Sequence, residues 1–186
     1  MDVIDIRDPE SFAKSHLKGA INIPMGASFR QWASVVLDDS QELLVIALDE
    51  QQGMSAVEML LRTGFEHVVG HSTWDENEGR PNVKLEGLPV ISVMEAARQM
   101  EAEKPLCIID VRTAAEWNAG HIVKAMHVPL STIRDSLDSI PRDSDIGVIC
   151  GSGYRSSVAA SFLKKVGFER VKNIQGGMHA WDTYCG

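Results

Sequence analysis

The chain repeats itself. Residues 3–24, VIDIRDPESFAKSHLKGAINIP, lie without a gap on residues 108–129, IIDVRTAAEWNAGHIVKAMHVP. Asp5 falls on Asp110, Arg7 on Arg112, His16 on His121, Ala20 on Ala125 and Pro24 on Pro129. A second pair of blocks follows in the same order. Residues 43–68 match 145–171, with Val45 and Ile46 on Val148 and Ile149, and Gly64-Phe65 on Gly167-Phe168. The period, about 105 residues, is too long for a solenoid unit, so each copy is expected to be a domain. The expected boundaries are 1–73 for the first domain, 74–88 for a linker and 89–186 for the second. The linker reading rests on Asp75, Glu76, Glu78, Gly79, Pro81 and Gly87, with no periodic apolar pattern among them.

Each copy alternates short apolar runs with helical patterns. In the second, residues 89–91 read as a strand. Ser92 opens a helix, with Glu95 completing a capping box. Residues 106–111 form a continuous apolar run of the kind found in buried parallel strands. Thr113 and Glu116 make another capping box, and Gly120 stops that helix. Strands are expected at 125–128, 146–149 and 171–174, and helices at 130–137 and 156–166, the last stopped by Gly167. This alternation predicts an α/β fold, each copy a mostly parallel β-sheet flanked by helices. The first copy reaches its Asp5 strand within two residues, whereas about twenty residues (89–107) precede the matching strand in the second. The first copy is therefore expected to lack an initial strand and helix, either as a reduced domain or because the chain is a piece of a longer protein.

Charge narrows the partners. The net charge is −8, and residues 1–75 carry 12 acidic against 5 basic side chains. Nucleic acid and anionic membrane surfaces are not expected as partners. The cluster Lys164, Lys165, Arg170 and Lys172 reads as a solvated helix end. No apolar run is long enough to span a membrane. Three cysteines (Cys107, Cys150, Cys185) without a secretory signal fit a reducing cytoplasm.

The chemistry concentrates in residues 148–156, VICGSGYRS. An apolar strand ends at Cys150, then Gly151, Ser152, Gly153 and Tyr154 lead to Arg155 and Ser156 at the opening of a helix. Glycines and small residues let successive backbone N–H groups turn inward as an anion-binding nest. The helix N-terminus aims partial positive charge at the same spot. A thiolate placed there is stabilised, so Cys150 is expected to be a nucleophile. Arg155 is expected to bind a substrate oxyanion or hold the loop. The first copy has lost this centre: Ala47 stands at the place of Cys150, Gln52 at that of Arg155, and Asp49 and Glu50 add negative charge.

These pieces resemble the rhodanese-like sulfurtransferases. The signature comprises IIDVR, the segment from Glu116 to Gly120-His121-Ile122, the stretch from Cys150 to Ser156, and Gly176-Gly177-Met178 with Trp181. The resemblance covers nearly the whole chain as two tandem copies, the first inactive and the second active. One departure is Lys124, where the family usually has glycine. The resemblance implies that Cys150 takes a sulfane sulfur from thiosulfate or a persulfide such as glutathione persulfide. A thiol, sulfite or cyanide then accepts it. Apart from the resemblance, no cofactor and no metal site are expected from the sequence. It implies Cys150 and Arg155 as catalytic residues and Gly151, Ser152, Gly153, Tyr154 and Ser156 as substrate-binding ones. The same pattern resembles the C-terminal part of fusions between a metallo-β-lactamase-like persulfide dioxygenase and rhodanese domains. A sulfur-relay or regulatory module serving such a partner is the alternative. A cysteine-dependent phosphatase or arsenate reductase ranks lower, because the Cys-x4-Arg spacing is one residue shorter than the phosphatase loop.

Asp5, Arg7, Asp110 and Arg112 persist in both copies, as do His16 and His121, so structural roles are expected for them. Cys107 is expected to be buried and inert, Cys185 a tail residue, and Trp117 and Trp181 packing residues.

Overall fold

The computed structural model describes residues 1–75 and 84–184. They fall into two compact units, Met1–Gly87 and Leu88–Gly186. Most of the expected linker, residues 76–83, lies outside the described residues.

The first unit runs β1 (Asp2–Asp5), α1 (Pro9–Lys14), β2 (His16–Leu17), β3 (Ile21–Asn22), α2 (Phe29–Val36), β4 (Leu43–Ala47), α3 (Glu50–Thr63), β5 (Val68–Thr73) and β6 (Leu85–Glu86). Four parallel strands form one sheet in the order β3-β1-β4-β5. Leu85–Glu86, inside the stretch read as linker, pairs antiparallel with His16–Leu17. Local chemistry sets the helix ends. Asp8 accepts from the Glu10 and Ser11 amides and Pro9 opens α1, which suits the first turn. Gly64, at φ 102°, closes α3 by donating to the Leu60 and Leu61 carbonyls.

The second unit runs β7 (Val90–Ile91), α4 (Val93–Met100), β8 (Cys107–Asp110), α5 (Ala114–Ala119), β9 (Met126–His127), β10 (Ile146–Ile149), α6 (Tyr154–Lys165), β11 (Val171–Ile174) and α7 (Gly177–Tyr184). Its five parallel strands are ordered β7-β11-β10-β8-β9. With β7 removed, this is the order of the first sheet, so the repeat in the sequence is a repeat of topology. Both units are thus parallel sheets flanked by helices. Central strand β10 is buried along its whole length, as its unbroken apolar run requires. Helix α6 is also buried from Ser156 to Leu163, and its serines and alanines let it lie flush on the sheet.

Both units carry the same internal ion pair. Arg7 donates to Asp5 at 2.6 Å and to the Ser15 carbonyl at 2.8 Å. Arg112 donates to Asp110 and to the Gly120 carbonyl, each at 2.7 Å. Each pair ties the end of a strand to the end of the short helix after it. Removing one partner would leave a buried charge unpaired, a cost of about 3–5 kcal/mol. The histidines repeat too. His16 Nδ1 lies 2.7 Å from the Phe12 carbonyl with its ring stacked on Phe12. His121 Nδ1 lies 3.1 Å from the Trp117 carbonyl with its ring stacked on Trp117. His67 and His71 stand four residues apart, the spacing of a helical ligand pair. His71 lies on strand β5 and His67 just before it, so the two do not share a helix face.

Several expectations need correction. The helix expected at 130–137 is two single 3₁₀ turns, Leu130–Thr132 and Leu137–Ser139. Hydroxyls in this stretch bond nearby carbonyls instead: Thr132 to Pro129, Ser136 to Thr132 and Ser139 to Ser136. Such bonds compete with the helical ladder. Ser92 caps α4 through the Glu95 amide, yet Glu95 turns its carboxylate to Arg98 and Gln99 rather than closing the box. Helix α7 follows β11, where the sequence pattern predicts no further element. Cys107 is half-buried, and burial pushes its thiol up from the ordinary value.

Lys124 adopts φ 70°, a left-handed backbone that Gly19 adopts at the matching place in the first unit with φ 79°. A side chain there costs roughly 1–2 kcal/mol, partly offset by the backbone freedom that glycine loses on folding. Lys124→Gly should therefore stabilise the second unit by about 0.5–1 kcal/mol, read as a higher midpoint in urea unfolding.

Candidate active site

Cys150 leaves the sheet directly after β10. It is 1% exposed. The Gly153 amide donates to its Sγ at 3.2 Å, and the thiol donates to Ser156 Oγ at 3.4 Å. A thiolate at that place can accept from the same hydroxyl. Gly153 is the N-cap of α6 at φ 108°, a backbone that a side chain resists. This turn bends the amide back onto the sulfur. The first-turn amides of α6 have no acceptor within the helix, and its N-terminus points positive potential at Cys150. Gly151 and Ser156 are buried, while Ser152 and Tyr154 face solvent, Tyr154 being 48% exposed. The fold thus brings Gly153 and Ser156 onto the sulfur and leaves Ser152 and Tyr154 at the rim.

Two other elements close the loop. Helix α7 starts against it: the Met178 amide donates to the Cys150 carbonyl at 2.7 Å and the His179 amide to the Gly151 carbonyl at 3.1 Å. Gly177 adopts φ 58°, and a Cβ there would fall 2.4 Å from the Cys150 carbonyl oxygen. On the other side stands Glu116 of α5. Arg155 Nη1 donates to its Oε2 at 2.7 Å and Nη2 to its Oε1 at 2.6 Å, a two-pronged ion pair beside Gly151. The same carboxylate accepts from the Thr113 amide at 3.0 Å and completes the capping box of α5. Arg155 therefore meets a carboxylate of the protein where a substrate oxyanion was expected.

Electrostatics follow this geometry. Arg155, with help from Thr113, holds the Glu116 carboxyl down at about 2. Glu116 and, to a smaller degree, a charged Cys150 raise the guanidinium. Above about pH 4.5 the carboxylate is charged in the folded and unfolded chain alike, and the pair contributes in full. As pH falls from there through about 2, the unfolded chain takes up the proton first and the contribution disappears. The stability difference between wild type and Glu116→Gln should accordingly be present at pH 7 and shrink toward zero near pH 2, as urea titrations at several pH values would show.

Glu116 was missed as a site residue because its position at the third helical residue already explained it as a cap. The repeat held the signal. Glu116 aligns with Ser11 and Arg155 with Gln52, so the two partners are lost together in the copy that lacks the cysteine. There the chain after Ala47 is a capped helix start: Asp49 accepts from the Gln52 amide at 2.8 Å. Glu50 reaches His71 at 3.0 Å.

The rhodanese-like domain family matches the chain twice, at residues 1–72 and 92–184. The chain belongs to the rhodanese-like domain family. A sulfurtransferase of Allochromatium vinosum is 34% identical over 85 residues, covering 46% of this chain and 79% of that protein. The thiosulfate sulfurtransferase GlpE of Tolumonas auensis is 30% identical over 91 residues, covering 49% and 85%. YrkF of Bacillus subtilis (strain 168) is 34% identical over 94 residues, and the chain spans 51% of its length. Among solved structures, a rhodanese-like domain protein from Staphylococcus aureus is 34% identical with a TM-score of 0.48, covering 50% of this chain and 91% of that one. Among the described residues of this rhodanese-like chain, no helix is long and apolar enough to cross a membrane. Cys185 lies outside the described residues.

Proposed function

We propose that the chain is a sulfurtransferase in which Cys150 of the second unit carries the sulfur as a persulfide. The observation that carries this reading is the buried Sγ at the start of α6 with the Gly153 amide on it at 3.2 Å. A thiolate there has a donor pointed at it. A persulfide needs the same support for one more atom. The named sulfurtransferase relatives support the reaction class. In the first half-reaction the Cys150 thiolate attacks the outer sulfur of the donor; the donor's S–S bond breaks and its electron pair leaves with sulfite or a thiolate. In the second, cyanide, sulfite or a thiol takes the outer sulfur and the Cys150 thiolate returns. Gly151, Ser152, Gly153 and Tyr154 supply the cradle, and Ser156 steadies the sulfur. The first unit, with Ala47 in place of the thiol, carries no sulfur in this reading. The partner that fits is an enzyme that makes or consumes a low-molecular-weight persulfide, fused or separate.

The test is the intact mass of the full chain after incubation with thiosulfate or glutathione persulfide, beside hydrolysis of an aryl phosphate. A gain of one sulfur, about 32 Da, is expected with at least one donor, and no phosphate release. Phosphate release without a sulfur adduct would replace this reading with the phosphatase one.

A further inference from the structure

Arg155, in the first turn of α6 and four residues past the Cys150 loop's start, is already engaged. Both of its terminal nitrogens are on Glu116, with side-chain exposures of 25% and 36%, so the pair is shielded from solvent on most of its surface. The pair is neutral as a unit. Among the described residues beside Gly151, what remains for a donor is the set of amide dipoles at the start of α6 and the His179 ring. Donors differ in the charge they bring. Thiosulfate is a dianion whose sulfonate is bonded directly to the sulfur being transferred. In an alkyl persulfide that sulfur is bonded to a carbon-bearing sulfur, and any carboxylates lie several bonds away. A dianion next to Cys150 needs a cation that Glu116 has taken, and it approaches the Glu116 carboxylate as well.

The geometry points to Glu116 as a specificity-determining residue that turns the second unit toward alkyl persulfides and away from thiosulfate. The inference rests on the proposed sulfur transfer and names its donor class. The step is Cys150–S⁻ attacking R–S–SH, giving Cys150–S–SH and the thiolate R–S⁻, with no oxidant consumed. The repeat supports the assignment. Asp110, Arg112 and His121 keep their counterparts in the copy without a thiol, whereas Glu116 and Arg155 do not. The first three serve the fold in both copies; the Glu116–Arg155 pair accompanies the cysteine.

The test is the second-order rate of sulfur loading on Cys150, followed by intact mass in single turnovers of the full chain. Thiosulfate and glutathione persulfide are the two probes. Glu116→Gln is the main variant, because glutamine still serves the capping box while removing the charge. Glu116→Ser, which carries the first copy's residue, is the second. The ratio of the thiosulfate rate to the persulfide rate should rise about tenfold or more in both, the worth of a freed charge-assisted contact at a partly shielded site. Adding Arg155→Met to Glu116→Gln should return the ratio to within about twofold of wild type, since the gain runs through Arg155. An unchanged ratio in the Glu116 variants, with both donors still loading sulfur, overturns the role of Glu116 and leaves sulfur transfer standing. So does a rise that survives the loss of Arg155. Failure of both donors to load wild-type Cys150 overturns sulfur transfer, and the Glu116 assignment with it.

Discussion

Gly177→Ala should destabilise the second unit by about 3–4 kcal/mol and uncouple the Cys150 loop from its support. Two causes add. The left-handed backbone at φ 58° penalises any side chain by roughly 1–2 kcal/mol. The new Cβ would also lie 2.4 Å from the Cys150 carbonyl oxygen and 2.6 Å from both the carbon and oxygen of the Gly151 carbonyl. These are backbone atoms, so no side chain can rotate aside to relieve the contact. The relief is for α7 to move, which breaks the Met178 and His179 amide bonds to the loop at 2.7 and 3.1 Å. The midpoint of thermal unfolding of the second unit should fall by on the order of 10 °C. Sulfur loading should fall with it even where the protein remains folded. A midpoint within 2 °C of wild type, by calorimetry, would show that the two segments are less tightly joined than these contacts state.

Cys150→Ser should abolish sulfur loading and reduce turnover by on the order of 10⁴-fold or more, the scale of losing the nucleophile from a covalent catalyst. The fold should tolerate the change. A serine hydroxyl can accept from the Gly153 amide and bond Ser156 Oγ, as the thiol does. Stability should stay within about 1 kcal/mol of wild type. The pairing of the two readouts is what gives the experiment force: activity vanishes while the unfolding transition holds. Turnover above a tenth of the wild-type rate would move the sulfur carrier to another thiol, and the half-buried Cys107 would be the next to replace.

The strands and the two-unit plan were legible because they rest on local, repeated signals. Buried parallel strands need unbroken apolar runs, and these appear twice in the same order around Asp5 and Asp110. The geometry of the Cys150 loop was legible for a related reason: Cys150, its glycines and the start of α6 are neighbours in sequence, and their geometry follows from backbone rules. The segment 130–137 departs from the expected helix because its hydroxyls serve 3₁₀ turns, a competition decided by only a few local bonds. Lys124 was recognised as a departure at a turn, yet its left-handed φ appears only in the folded backbone.

By itself, then, the sequence determined the duplication, the parallel α/β layers, the loss of the thiol from the first copy and the placement of Cys150 at a helix N-terminus. Each of these is read from short local stretches, matched between the two copies. The tertiary structure alone decided who surrounds the sulfur. Glu116 and Arg155 are 39 positions apart, and Gly177 stands more than twenty residues beyond Cys150. Their meeting depends on how α5 and α7 pack against the loop. No local rule specifies that a capping carboxylate will also take an arginine, or that a glycine at a helix start will touch a distant carbonyl. Packing sets both, because a crowded interior leaves one place for each group and the chain must bring it there.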